Sequence, residues 1–206
     1  MKMTKIALAA ALAMGAASAN AAGLYAEVGV ASVDFNSTTT PAIPATSAVN
    51  SSTASSIGVG YRFNELFGLE FGHSNVGSGD FTTTYTAAFS GLSAGDVVRG
   101  NTDVSTIYFG GNLTFALTDK IDLIARAGIS DWEVEYSSVT LNGAAITVPS
   151  ISGTDPYYGL SMMYKFDDQV SLGLGWQRQE ANSSASGYNT ERELDTITAT
   201  LRYNFK

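Results

Sequence analysis

The residues from Asp195 to Lys206 (DTITATLRYNFK) divide with a period of two into unlike faces. Ile197, Ala199, Leu201, Tyr203 and Phe205 make one face; Thr196, Thr198, Thr200, Arg202 and Asn204 make the other. Successive side chains of a strand point to opposite sides, so this is a strand with one apolar and one polar surface. Arg202 has no partner nearby in sequence, so its surface must meet water or other polar groups.

The same alternation recurs along the chain. From Leu24 to about Asn36, Leu24, Ala26, Val28 and Val30 alternate with Tyr25, Glu27, Gly29 and Ala31. Between Ser55 and Phe63, Ile57, Val59 and Tyr61 oppose Gly58, Gly60 and Arg62, and the third segment sets Phe67, Leu69 and Phe71 against Gly68, Glu70 and Gly72. The fourth, Asp103 to Ala116, sets Ile107, Phe109, Leu113 and Phe115 against Thr106, Tyr108, Gly110, Asn112 and Thr114. The fifth begins at Lys120, with Leu123, Ala125, Ala127 and Ile129 opposite Asp122, Arg126, Gly128 and Ser130. Beyond Asp131 the large apolar residues Trp132, Val134 and Tyr136 change parity, which predicts a bulge there. Pro156 to Phe166 and Gln169 to Gln179 supply two more strands, and the opening segment is the eighth.

Asn64-Glu65, Leu117-Thr118-Asp119 and Asp167-Asp168 read as short turns. Ser37 to Ala54 (with Pro41 and Pro44), Asn75 to Thr102, Ser137 to Asp155 and Glu180 to Glu193 read as long loops, the second holding a short hairpin around Phe81 to Ala87. Long loops and short turns alternate, so they gather at opposite ends of a meander.

The first 22 residues read as a leader rather than structure. Lys2 and Lys5 precede a short apolar run from Ile6 to Met14, and Ala17-Ser18-Ala19 or Ala19-Asn20-Ala21 supplies a small-residue cleavage site. A signal peptide over residues 1–22 would leave 23–206 as one domain. No stretch is long enough to cross a membrane as an apolar helix. Removing the leader takes two lysines from the 11 basic residues against 19 acidic ones, so the net charge of −8 becomes about −10. That balance disfavours nucleic acid, which needs clustered Lys and Arg. With no Cys there is no disulfide framework, thiolate metal site or cysteine nucleophile.

The two faces separate the remaining architectures. An eight-stranded soluble barrel of the lipocalin kind needs an apolar interior and a hydrated exterior, whereas a membrane barrel inverts them. Here large apolar residues share one face while Gly, Ser, Thr and charges crowd the other, and a narrow interior suits the second set. Aromatics also group by height: Phe63, Phe67, Phe115, Tyr164, Phe166, Tyr203 and Phe205 lie near the turns, and Phe35, Trp132, Tyr136, Tyr158 and Trp176 near the loops. Two belts separated by aliphatics suit two membrane interfaces. The fold class is therefore all-β, an eight-stranded antiparallel up-and-down transmembrane β-barrel, its first and last strands paired because lipid tolerates no open sheet edge.

Over its whole mature length the chain resembles the small eight-stranded outer-membrane barrels of the OmpA/OmpX kind, and Tyr203-Asn204-Phe205 resembles their aromatic C-terminal strand signature, carried by Tyr203 and Phe205. Phe205 here is penultimate, with Lys206 after it. The resemblance implies a porin-like outer-membrane protein of a Gram-negative bacterium, monomeric, contacting outer-membrane lipid and lipopolysaccharide and inserted by the barrel-insertion machinery. With only Lys206 after Phe205, the separate peptidoglycan-binding domain of longer OmpA-like chains is expected to be absent.

Parity places Glu27, Arg62, Glu70, Asp122, Arg126, Lys165 and Arg202 in the lumen, three acids against four bases. Charges in so narrow a space must pair or stay hydrated. The expected network fills and satisfies the core, or acts as a gate as the OmpA resemblance implies. Catalysis is not expected. The single histidine lies in Gly72-His73-Ser74-Asn75, and adjacent strand residues point apart, so His73 cannot activate Ser74 without a bulge. Neither a cofactor nor a metal is implied, although exposed acids such as Asp80, Asp96, Asp155, Glu180, Glu191 and Glu193 could meet bridging cations at lipopolysaccharide. The expected function is a structural or surface role with a narrow gated pore as its extension. The alternatives are porin-like passage of small or hydrophobic solutes and adhesion through the extracellular loops.

Overall fold

The computed structural model describes residues 23–40, 45–49, 52–88, 91–185 and 188–205. The expected leader, residues 1–22, lies outside them, as do Pro41, Pro44 and Lys206. The strands in chain order are β1 (Gly23–Thr40), β2 (Ala45–Val49), β3 (Ser52–Arg62), β4 (Phe67–Tyr85), β5 (Val97–Thr118) and β6 (Ile121–Leu141). They continue with β7 (Ala144–Ala145), β8 (Ile151–Lys165), β9 (Val170–Glu180), β10 (Ser183–Ala185) and β11 (Tyr188–Asn204).

Eight of these form a closed antiparallel ring in the order β1-β3-β4-β5-β6-β8-β9-β11, and β11 pairs back onto β1. The closing ladder runs from Tyr25 opposite Asn204 to Thr40 opposite Asn189, so the start of β1 and the end of β11 lie at the same end of the barrel. Closure removes the exposed donors and acceptors that an edge would present to lipid. The short strands β2, β7 and β10 pair with β4, β6 and β11 respectively.

Each short turn at the terminal end is built around one side-chain oxygen. Asn64 Oδ1 accepts from the backbone N–H of Leu66 at 2.9 Å and of Phe67 at 2.7 Å. Thr118 Oγ1 accepts from Lys120 at 3.2 Å and Ile121 at 3.0 Å. Asp167 Oδ1 accepts from Gln169 at 2.7 Å and Val170 at 2.8 Å. Local bonds of this kind substitute for ladder bonds where the chain reverses.

The outer face is apolar where the sequence alternates most cleanly. Val28, Val30, Ile57, Phe109, Ile129, Leu160, Met162, Leu174 and Ile197 all lie exposed on it. On β8 the outward run from Tyr158 to Phe166 covers eight rises of about 3.3 Å, roughly 20 Å of height at a tilt of about 40°, close to the apolar band of a transmembrane barrel. On β6 the band ends sharply: Ile129 is outward and exposed, and the next outward residues are Asp131, Glu133 and Glu135.

Four expectations are corrected. The strands outrun the ten or so residues a bilayer needs, reaching 19 in β4, 22 in β5 and 21 in β6, so much of the expected loop sequence is ladder above the apolar band. Phe81 to Ala87 is accordingly no separate hairpin: β4 stays paired with β5 as far as Thr84 opposite Val97, with β2 on its other side. No bulge occurs at Asp131, because the register runs unbroken through it on both neighbours. The large apolar residues change parity there because the lumen changes character.

The belts are corrected with it. At the turn end the aromatics form a girdle, with Phe63 stacked on Phe67 at 5.6 Å and edge contacts between Tyr164 and Phe166 and between Tyr203 and Phe205. At the other end Tyr158 and Trp176 face outward in edge contact at 5.8 Å. Trp132 is buried in the lumen, and Tyr136 packs against the same interior cluster. The side chain of Phe35 lies outside the described residues.

Candidate functional site

The alternation that lines the outside with aliphatics delivers every second residue to the interior, and there the lumen is built in layers. At the turn end a vestibule of about 230 Å³ is walled in part by Arg62, Asp122, Lys165, Ser171 and Asn204. Lys165 Nζ donates to Asp122 Oδ1 at 2.9 Å, and Arg62 Nη2 stands 3.7 Å from Asp122 Oδ2.

Above it the ladder between β1 and β11 sets Glu27 directly opposite Arg202. Arg202 donates from Nε to Glu27 Oε1 at 2.7 Å, with Nη2 2.6 Å from the same oxygen, and its guanidinium lies 4.2 Å from the centre of the Tyr25 ring. Tyr25 can lie flat across the wall because Gly60 stands beneath it; a Cβ there would collide with the ring. Glu70 accepts from Tyr157 Oη at 2.9 Å and from Asn112 Nδ2 at 3.2 Å, and Asn112 Nδ2 also reaches Tyr25 Oη at 2.8 Å.

Arg126 stands between the two glutamates, 3.7 Å from Glu27 Oε2 and 3.8 Å from Glu70 Oε2. These are ion pairs without the distance of hydrogen bonds. Its direct bond is from Nη2 to Ser161 Oγ at 3.3 Å.

All seven residues that parity sends to the lumen therefore face it, in two clusters: Asp122 with Arg62 and Lys165, and Glu27 and Glu70 with Arg126 and Arg202. Three further polar members, Tyr25, Asn112 and Tyr157, were not singled out by sequence reasoning. The signal was present for two of them, since Tyr25 shares the parity of Glu27 and Tyr157 that of Lys165, while Asn112 lies on the small, polar face of a strand whose lumenal side carries no charge.

The outer part of the lumen departs from the polar interior expected. Val33, Ala54, Val104, Trp132, Val134, Ala181 and Leu194 pack into one buried apolar cluster, backed by Ile151 and Tyr136. Trp132 sits against Gly153, where a Cβ would come within 2.7 Å of the indole. Its Nε1 donates to Asp155 Oδ2 at 2.7 Å, and the same oxygen accepts from the backbone N–H of Asn182 at 2.9 Å. The lumen thus carries a charged layer near the turns and an apolar cap near the loops.

Outside the barrel, Arg178 donates to both oxygens of Asp195, at 2.9 and 2.6 Å, and pairs with Glu193 at 3.2 Å beside Trp176. His73 is exposed, while Ser74 lines an interior cavity, so the two occupy opposite faces of β4. Among the described residues no three His, Asp or Glu side chains converge into a set that could hold a metal ion.

A closed ring with an apolar outer band, aromatic girdle and polar lumen is a membrane-spanning β-barrel. The chain belongs to the outer membrane protein β-barrel domain family, whose pattern it matches over residues 5–205. No curated protein matches its sequence. Among solved structures it is similar to Neisserial surface protein A (NspA), with a TM-score of 0.56 at 14% identity over 88% of this chain and 97% of that one. The N-terminal β-barrel domain of Pseudomonas aeruginosa OprF gives 0.48 at 9% identity over 87% and 97%. Ail, the attachment invasion locus protein of Yersinia pestis, gives 0.44 at 12% identity over 88% and 97%. At such identities the likeness is one of fold.

Proposed function

We propose that the protein serves the outer membrane of its cell as a closed structural and surface barrel, holding extended strand hairpins outside the bilayer on a scaffold that does not conduct at rest. The observation that carries this reading is the double closure of the lumen: an ion-paired layer around Glu27 and Arg202, and an apolar cap around Trp132. An ion crossing the cap would shed water without finding polar replacements, at a cost of several kcal/mol. Lipid contacts the apolar band, and the acids above it face the lipopolysaccharide headgroups. No catalytic role is assigned, because His73 and Ser74 occupy opposite faces of one strand.

A second reading, a narrow pore that opens when the charged layer rearranges, is favoured by the loose seating of Arg126, whose two ion pairs are 3.7 and 3.8 Å long.

The absence of cysteine makes the test clean. Gly95→Cys, in the β4–β5 connection, should react with a membrane-impermeant maleimide on intact cells, whereas Asp168→Cys, in the β8–β9 turn, should react only after lysis. Liposomes carrying the folded wild type should not swell in small sugars. Labelling in the reverse order, or swelling at a porin-like rate, would overturn the reading.

A further inference from the structure

Between the charged layer and the apolar cap lies a cavity of about 60 Å³, bordered by Glu27, Arg126, Tyr108, Thr198, Thr200 and Gln179 among others. That volume holds about four water molecules. Its walls are rich in hydroxyls and carry two unmet donors: Arg126 Nε and Gln179 Nε2 are buried without a hydrogen-bond partner. Gln179 is only 7% exposed and the Arg126 side chain 12%.

A guanidinium presents five N–H donors, and the direct hydrogen bond Arg126 makes is the 3.3 Å contact to Ser161. Ion pairs of 3.7 and 3.8 Å lower its electrostatic cost without satisfying those donors. A buried cation so placed needs acceptors, and the adjoining cavity has the volume and polarity to supply them as water.

We infer that this chamber is a built water site: a fixed cluster bridges Arg126 to Glu27 and meets the Gln179 amide. Water there does for the Nε of Arg126 what Glu27 does directly for the Nε of Arg202. It also lowers the cost of exchanging partners, so of the two arginines facing Glu27, Arg126 is the mobile one and Arg202 the fixed one. The inference holds for a silent barrel and a conducting one alike.

The test uses the full barrel refolded in lipid. Solid-state magnetisation transfer from water should reach Arg126 Nε–H and the Gln179 amide as early as it reaches Lys165 at the vestibule. Transfer to Lys165 but not to Arg126 would overturn the inference. Thr198→Ile provides an independent sign, because extra carbon in a dry cavity improves packing, whereas in a hydrated one it displaces the solvent of a buried charge. The urea midpoint of Thr198→Ile should fall. A midpoint at or above wild type would count against the water site.

Discussion

Two arginines in one lumen are held in different ways, and the difference sets what each substitution does. Arg202 is 2% exposed and hydrogen-bonded through Nε at 2.7 Å to Glu27, its Nη2 ion-paired with the same oxygen, with Tyr25 under its guanidinium. Removing one partner of a buried pair leaves the other uncompensated, at roughly 3–5 kcal/mol. Glu27→Ala should therefore lower folding stability by about that amount in urea titrations in vesicles, and Glu27→Leu combined with Arg202→Met should recover much of it. A double variant no more stable than the single one would show that the pair matters for more than mutual compensation. The placement of these charges was legible from parity alone, because a strand has only two faces and lipid claims one of them. The tight and loose pairings were not legible. They depend on which strands adjoin and on glycines such as Gly60 that let a tyrosine lie against the wall.

Among the elements, β8 carries a seam. Its ladder with β9 stops at Tyr157 opposite Gln179, while its ladder with β6 continues up to Ile151 opposite Val134. Pro156, the next residue up, has no N–H to donate. Asp155 spans the gap, accepting from the Trp132 indole on one side and Asn182 on the other. Hydrogen bonds to a charged acceptor contribute about 1.5–3 kcal/mol, so Asp155→Ala should speed exchange of the Trp132 indole N–H by about tenfold or more. Unchanged exchange would mean that packing alone holds the cap.

A second clip joins two hairpins outside the membrane. Asn142 donates from Nδ2 to Asp96 Oδ1 at 2.8 Å, and the backbone N–H of Ser93 donates to Asp96 Oδ2 at 2.7 Å. The Ser93 bond first, and then the Asn142 amide, hold the Asp96 carboxyl below its ordinary pKa. A group with a depressed folded pKa adds stability that is present above its unfolded pKa and lost as pH falls through the folded one. The Ser93 and Asn142 amide resonances should therefore stay constant through neutral and mildly acidic pH and shift together only below the ordinary aspartate range. Titration of both at an unperturbed aspartate value would contradict the clip. Asn142 and Gly143 both have positive φ, at 50° and 86°, and an Asn-Gly pair is a strong hairpin signal that the sequence reading passed over inside an expected loop.

At the scale of the whole molecule, one alternating pattern meets two solvents in succession. Within the bilayer, outward apolar and inward polar residues follow from lipid outside and a narrow, charge-filled lumen inside. Above Ile129 the outer face meets water and turns acidic, while the interior turns apolar at Trp132 and Val134. The strand count and topology were legible because alternation survives that exchange. The position of the exchange was not, because a strand whose faces trade polarity reads locally like a bulged one, and only the unbroken register at Asp131 tells them apart.

The closed lumen is measured most directly by single-channel recording in a planar bilayer. Refolded wild type with a demonstrated heat-dependent gel shift should give a silent membrane, and opening the cap with Trp132→Ala while loosening the charged layer with Arg126→Ala should produce discrete steps. Discrete steps from the folded wild type would contradict the account.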